Sequence, residues 1–270
     1  MKTAMTAFAT LTLVLGTAAC SVDATSKIEA TSATGNAISG TWKIDTSTAK
    51  SENSDSKFTL IDGTFSCSNC IPPYSTIADG QWKPMVRSGF DEMKVEVVDD
   101  KTVKSTVRLK GRELSELTWT VSDDGSSLTQ YFVNLAGDET TEGSVSMNRT
   151  ADAPEGAHAV SGSWALAEVG EMSEASLLAT YTLEGGTFSN KSNGAVWSAT
   201  LGGDPVAIEG SQSGTMAKVE KVSDSVYRIT YILDDEVVNI TEMTINDDTL
   251  SVVRTDPRDN SVFRYIATRQ

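Results

Sequence analysis

The chain has 270 residues, with 37 acidic against 22 basic side chains, a single histidine and a formal net charge of −15. That balance argues against nucleic acid as a partner, since a phosphate backbone is held by clustered Lys and Arg. It also disfavours adsorption to anionic lipid, so membrane association is expected through an anchor alone.

The first stretch carries Lys2 as its only charge, then an apolar run from Ala7 to Leu15, then Gly16-Thr17-Ala18-Ala19-Cys20. This pattern predicts an export signal over residues 1–19, too short to span a bilayer permanently. Ala18 and Ala19 before a cysteine resemble a bacterial lipobox and imply lipidation of Cys20, although Thr17 stands where an aliphatic residue is usual. Ordinary cleavage and secretion is the alternative. Residues 20–37, rich in Ser, Thr and Ala, read as a flexible tether, and Ser21 resembles outer-membrane sorting. Cysteine arithmetic agrees: modifying Cys20 leaves Cys67 and Cys70 as an even pair in an oxidising compartment.

The rest of the chain reads as two copies of one module. Ile38-Ser39-Gly40-Thr41-Trp42 matches Val160-Ser161-Gly162-Ser163-Trp164, and Gly63-Thr64-Phe65-Ser66 matches Gly186-Thr187-Phe188-Ser189. Lys94-Val95-Glu96 and Val121-Ser122-Asp123-Asp124 match Lys218-Val219-Glu220 and Ile245-Asn246-Asp247-Asp248 in the same order. Such conserved spacing between the halves is the mark of a repeat. It predicts one domain over residues 38–150, a linker over 151–159 around Pro154-Glu155-Gly156, and a second domain over 160–270.

Within each copy the hydrophobic period is two. Val103, Val107 and Leu109, then Leu117, Trp119 and Val121, alternate with polar residues as half-buried strands do. Asp99-Asp100-Lys101, Lys110-Gly111-Arg112 and Asp123-Asp124-Gly125 have the composition of hairpin turns, and copy two repeats this with Tyr227, Ile229, Tyr231 and Leu233 before Asp234-Asp235. Roughly eight strands per copy suffice to close a small barrel. A two-sheet sandwich is the competing all-β solution.

Gly40-Thr41-Trp42 opens one copy and Arg149 ends it, as Gly162-Ser163-Trp164 and Arg269 bound the other. A tryptophan on a first strand covered by an arginine from a last strand seals a closed sheet, which pairs Trp42 with Arg149 and Trp164 with Arg269. These residues resemble the end-sealing signature of the lipocalin and wider calycin families. The chain also resembles exported bacterial lipocalin-like domains of unknown function, through Cys67-Ser68-Asn69-Cys70-Ile71-Pro72-Pro73, Ala78-Asp79-Gly80 and Phe90-Asp91-Glu92-Met93. The resemblance implies two tandem antiparallel up-and-down barrels. It transfers no catalytic residue, because Gly40, Trp42, Arg149, Gly162, Trp164 and Arg269 are structural seals.

Cys67 and Cys70 form the obvious chemical constellation. Phe65 before them and Pro72-Pro73 after them indicate a strand running into a loop, so a local disulfide is expected. A redox pair would want a helix N-terminus to lower a thiol pKa, and a zinc site would want further Cys or His ligands. Copy two carries Asn190 to Asn193 there instead. His158 lies in the linker, which argues against His-dependent triads. The paired acids Asp99/Asp100, Asp123/Asp124, Asp234/Asp235 and Asp247/Asp248 read as solvated turns. Phe65, Tyr74, Trp119, Phe188, Trp197 and Tyr231 are candidates to line an apolar cavity or to fill a core. The expectation is therefore a non-catalytic envelope lipoprotein, facing the periplasm or surface, that needs no cofactor or metal and binds a small apolar or amphipathic ligand. A structural or protein-interaction module with filled barrels is the second reading, and a thiol-disulfide protein using Cys67 and Cys70 the third.

Overall fold

Alternating inward and outward side chains continue through the structure, a computed structural model that describes residues 37–137, 139–192, 195–209 and 211–270. The predicted signal, Cys20 and the tether as far as residue 36 lie outside the described residues. Copy one forms β1 (Gly40–Glu52), β2 (Ser56–Ile61), β3 (Thr64–Cys67), β4 (Tyr74–Ile77), β5 (Lys83–Arg87), β6 (Phe90–Val97), β7 (Thr102–Leu109), β8 (Arg112–Val121), β9 (Ser127–Asn134) and β10 (Thr141–Ala151). Copy two forms β11 (Gly162–Met172), β12 (Leu178–Glu184), β13 (Thr187–Ser192), β14 (Ala195–Thr200), β15 (Val206–Ala207), β16 (Met216–Lys221), β17 (Val226–Leu233), β18 (Glu236–Asn246), β19 (Thr249–Asp256) and β20 (Ser261–Arg269). The count exceeds the expected eight in part because β4, β5 and β15 have only four, five and two residues, too short for alternation to register.

The turns follow their chemistry. Lys110 and Gly111 between β7 and β8 both have positive φ, +51° and +84°, as a two-residue hairpin of this hand requires. Asp234 and Asp235 do the same between β17 and β18, at +50° and +65°. The strands assemble into two ten-stranded antiparallel sheets, each nearly closed into a barrel. In one, the Asp79–Glu96 bridge spans the remaining gap; in the other, Val196 and Glu209 exchange backbone bonds of 3.3 and 2.9 Å.

Sheet membership departs from the copy boundaries. One barrel contains β2 to β11 and is continuous in sequence. The other contains β12 to β20 with β1 inserted between β20 and β12. Each copy's first strand therefore completes the other copy's barrel. β1 pairs with β12 from Gly40↔Tyr181 to Lys43↔Leu178, and with β20 from Trp42↔Arg269. β11 pairs with β2 from Gly162↔Phe58 to Trp164↔Ser56, and with β10 at Arg149↔Trp164. The predicted domains over 38–150 and 160–270 are thus not separate barrels, and the 151–159 segment joins β10 to β11 within one sheet. The chain crosses between barrels at residues 53–55 and 173–177.

Loop economy explains the exchange. Were β1 to stay with its own copy, the equivalent register would set Trp42 opposite Ser56 and leave residues 43–55 as one long hairpin connection. In the exchanged arrangement much of that stretch joins β20, through Ile44↔Ala267, Asp45↔Ile266 and then, past a bulge, Lys50↔Arg264 to Glu52↔Val262. Backbone groups that a loop would leave to water are paired instead.

The seals are consequently made between copies: Arg269 lies 4.2 Å from the Trp42 ring centroid and Arg149 lies 4.0 Å from that of Trp164. This corrects the pairing of Trp42 with Arg149 and Trp164 with Arg269. The two seats are alike in sequence, so sequence alone does not say which strand occupies which. Each guanidinium also binds carbonyls of the arriving chain, Arg269 at Ser39 and Ala37 (both 2.6 Å) and Arg149 at Ser161 (2.7 Å) and Ala159 (2.9 Å). Each indole donates to the carbonyl four residues back, Ile38 or Val160, at 2.9 Å. Gly40 and Gly162 have φ of +142° and +125°, and a Cβ there would sit 2.6 and 2.5 Å from the Arg269 and Arg149 Nη1 atoms, so only glycine fits beneath the cation.

Two outcomes follow. Combining Trp42→Phe with Arg269→Ala in a double-mutant cycle by urea unfolding should show a coupling of about 0.5–2 kcal/mol, whereas Trp42→Phe with Arg149→Ala should be additive. Coupling to Arg149 instead would refute the exchange. A protease site placed at Pro154-Glu155-Gly156 and cut under native conditions should leave two fragments that co-elute on size exclusion and part only on denaturation; spontaneous separation would indicate self-contained halves.

Candidate functional site

The sealed end of the split barrel, β1 with β12 to β20, is solidly packed. Trp42, Phe188, Tyr227, Leu250 and Met243 are all buried to within 2% exposure. The Phe188 ring lies 5.7 Å from Trp197 and 5.8 Å from Tyr227. The continuous barrel is packed likewise, with Phe65 5.7 Å from Phe58 and 5.6 Å from Trp119. Of the six aromatic candidates, Phe65, Trp119, Phe188 and Trp197 thus belong to these stacks.

Further toward the opposite end of the split barrel the interior changes character. Along β17 the inward series Tyr227, Ile229 reaches Tyr231; along β19, Leu250 and Val252 lead to Arg254; along β20, Ala267 leads to Tyr265; along β12, Leu183 leads to Tyr181. Arg254 pairs across the sheet with Thr241 on one side and Phe263 on the other, so Tyr265 is its diagonal neighbour. Tyr231, Tyr265 and Arg254 are only half-buried although they point inward. Asn190, directly opposite Tyr181, is buried with its Oδ1 unpartnered among the described residues.

Electrostatics tie the group together. Burial pushes the Tyr181, Tyr231 and Tyr265 phenols above their ordinary pKa of 10.0, and the Arg254 charge pulls each of them back. The nearest acid on the same inward face, Asp256, is committed to Arg258, whose Nε donates to Oδ1 at 2.7 Å and whose Nη2 donates to Oδ2. Among the described residues no carboxylate pairs with Arg254 and its guanidinium makes no hydrogen bond.

The sister barrel shows what these seats hold when they are filled. Matching strand by strand, Tyr181 corresponds to Phe58, Asn190 to Cys67, Tyr231 to Val107, Arg254 to Phe132 and Tyr265 to Val145. Opposite Phe132 stands Gly143, where a Cβ would be 2.7 Å from the Phe132 ring; opposite Arg254 stands Phe263. The continuous barrel therefore buries a ring where the split barrel presents a cation.

Cys67 and Cys70 form a disulfide with Cα atoms 5.4 Å apart. Both are buried, Cys67 at the end of β3 and Cys70 in the loop before the cis Ile71–Pro72 bond, and no helix follows. Tyr74, the remaining aromatic candidate, lies beneath Arg87, whose guanidinium carbon is 4.6 Å from the ring centroid and which also donates to the Pro72 carbonyl. Burial raises the Tyr74 pKa and lowers that of Arg87.

His158 spends both ring nitrogens locally, on the Asp99 carbonyl (2.7 Å) and the Val160 N–H (3.2 Å). The turn acids behave as solvated turns: Asp124 accepts from Ser122 and Ser126, which hold its carboxyl at a pKa of about 2. No three His, Cys, Asp or Glu side chains converge among the described residues. Two recesses open to solvent lie at the sealed end of the continuous barrel, one between Leu60, Val97 and His158, the other between Asp124, Arg149 and Asp152, and neither is lined by Arg254.

Arg254, Tyr181 and Tyr265 are absent from the sequence-based candidates. The repeat itself carries their signal, in that polar residues occupy seats whose partners in the other copy are apolar. No family model, curated protein or solved structure matches this chain.

The phenols give a pH test. A folded pKa above the unfolded 10.0 contributes stability that is complete below pH 10 and lost as pH rises through the folded value. Absorbance at 295 nm should show Tyr181, Tyr231 and Tyr265 ionising only together with loss of the fold. Rapid ionisation of the native protein with a midpoint of 10 for all six tyrosines would contradict the burial.

Proposed function

We propose that this protein is a non-catalytic binding protein of the bacterial cell envelope that admits a small amphipathic molecule to the split barrel. The observation that carries the reading is the polar cluster of half-buried Arg254, Tyr231 and Tyr265 with buried Tyr181, at seats that the sister barrel fills with Phe132, Val107, Val145 and Phe58. A folding core gains nothing from an inward guanidinium without a counter-charge, since burying such a group is costly. The continuous barrel fits the second reading, a filled structural module that braces the other through exchanged strands. The lipocalin-like resemblance and the predicted lipid anchor at Cys20 favour the outer membrane as the place of work.

The thiol-disulfide reading has the weaker support. Buried sulfurs without a helix N-terminus lack the exposed, electropositive setting that lowers a thiol pKa.

The test is fluorescence titration of the delipidated protein with a neutral apolar probe such as 1-aminoanthracene. One saturable site per chain is expected. The double variant Arg254→Phe with Phe263→Gly transplants the sister's packing pair and should abolish that site while keeping the unfolding transition. Absence of binding in the unaltered protein would reject the reading.

A further inference from the structure

We infer that the sealed end of the continuous barrel carries a docking surface for a partner protein, one that presents a short segment in which aliphatic side chains alternate with Lys or Arg. This surface lies outside the split barrel, and its role is independent of what that barrel binds.

The surface is apolar where packing does not require it. Ile61, Thr64 and Ile77 stand opposite one another across β2, β3 and β4, and each faces outward because its neighbour Leu60, Phe65 or Thr76 is buried inside. The Asp79↔Glu96 bridge draws the end of β4 to the end of β6 and so brings Val97 and Val98 to the same rim. Ile61, Ile77, Val97 and Val98 are 36, 48, 41 and 54% exposed. The equivalent seats of copy two, matched by the same strand pairings and turn bonds, hold Glu184, Thr200, Lys221 and Val222. A barrel of this build therefore closes without an aliphatic residue at three of the four seats, and their gathering on one rim of one copy marks a contact surface.

Charge selects the occupant. Asp62 and Asp100 line the recess beside Ile61 and Val97, and Glu96 and Asp99 flank Val97 and Val98 in the chain. Among the described residues none of these four carboxylates forms an ion pair, and Lys83 and Lys101 are committed to Asp79 and Asp123. A Lys or Arg side chain suits such a recess, its stem on the apolar wall of Leu60, Val97 and Ala157 and its charge at the acids. A second copy docked face to face would set these acids against their own images, and an anionic lipid surface would be repelled in the same way.

The test uses the delipidated full chain and three labelled heptapeptides, KVKLKVK, KSKSKSK and EVELEVE, followed by fluorescence anisotropy and by amide NMR shifts. KVKLKVK is expected to bind about 10-fold more tightly than KSKSKSK, as burial of aliphatic side chains against Ile61 and Ile77 implies, and to shift the amide signals of Ile61, Ile77, Val97 and Val98. EVELEVE should not bind. Ile61→Glu with Ile77→Thr installs the residues that copy two carries at these seats and adds a negative charge; binding through charge alone would tighten, whereas docking on the rim predicts a loss of about 10-fold. Asp62→Asn with Asp100→Asn should also weaken binding. Equal binding of KVKLKVK and KSKSKSK, tighter binding by the more acidic variant, or shifts centred elsewhere overturn the proposal. So do a dimer, or adsorption to phosphatidylcholine vesicles, that the Ile61→Glu, Ile77→Thr variant abolishes, because the rim would then serve a second copy or a lipid surface. The peptide comparison and the position of the shifts in the unaltered protein decide even if the variants do not fold.

Discussion

The stacking of Arg269 on Trp42 and of Arg149 on Trp164 is the contact on which the rest of the architecture depends. Each guanidinium does three things at once: it covers an indole, it binds the carbonyls of the chain segment leading into that indole's strand, and it forces glycine beneath it. Because tryptophan and arginine in each pair come from different copies, the seals that end the barrels also bind the copies together. Two modules that would otherwise meet through a modest interface share their hydrogen-bonded ladders instead.

That shared framework lets the two interiors diverge. Once one barrel is packed through Phe58, Phe65, Trp119 and Phe132 and joined to its partner through whole strands, the partner can hold polar side chains inside without standing alone. Stability in one copy can offset the cost of polar side chains inside the other. The disulfide at Cys67–Cys70 belongs with the packed copy, and its equivalent seat in the other is Asn190, part of the polar layer.

Much of this was legible in the residues. Period-two alternation, turn chemistry at Lys110-Gly111 and Asp234-Asp235, and the doubled Gly-x-Trp motif specified all-β modules with sealed ends, because those signals are local. The exchange of β1 and β11 was not legible, since pairing energies depend on seats that the duplication made nearly identical. The polar cluster was hidden for another reason. Tyr231 stood out as an aromatic, but Arg254 reads as an ordinary exposed strand arginine until the register turns it inward, and only comparison with Phe132 marks it as unusual. Short strands such as Val206–Ala207 carry too few residues to show any period at all.

The connectivity also dictates an order of events as the chain emerges end first. All strands of the continuous barrel lie between Ser56 and Met172, so that barrel can close while the remaining residues are still arriving. β1 precedes it but has no partner until β12 and β20 exist, and its seal waits for Arg269. A thirteen-residue strand must therefore remain unpaired through most of the chain's delivery, beside a finished neighbour. Its alternating charges, Lys43, Asp45, Lys50 and Glu52, keep that waiting edge soluble until the last strand captures it.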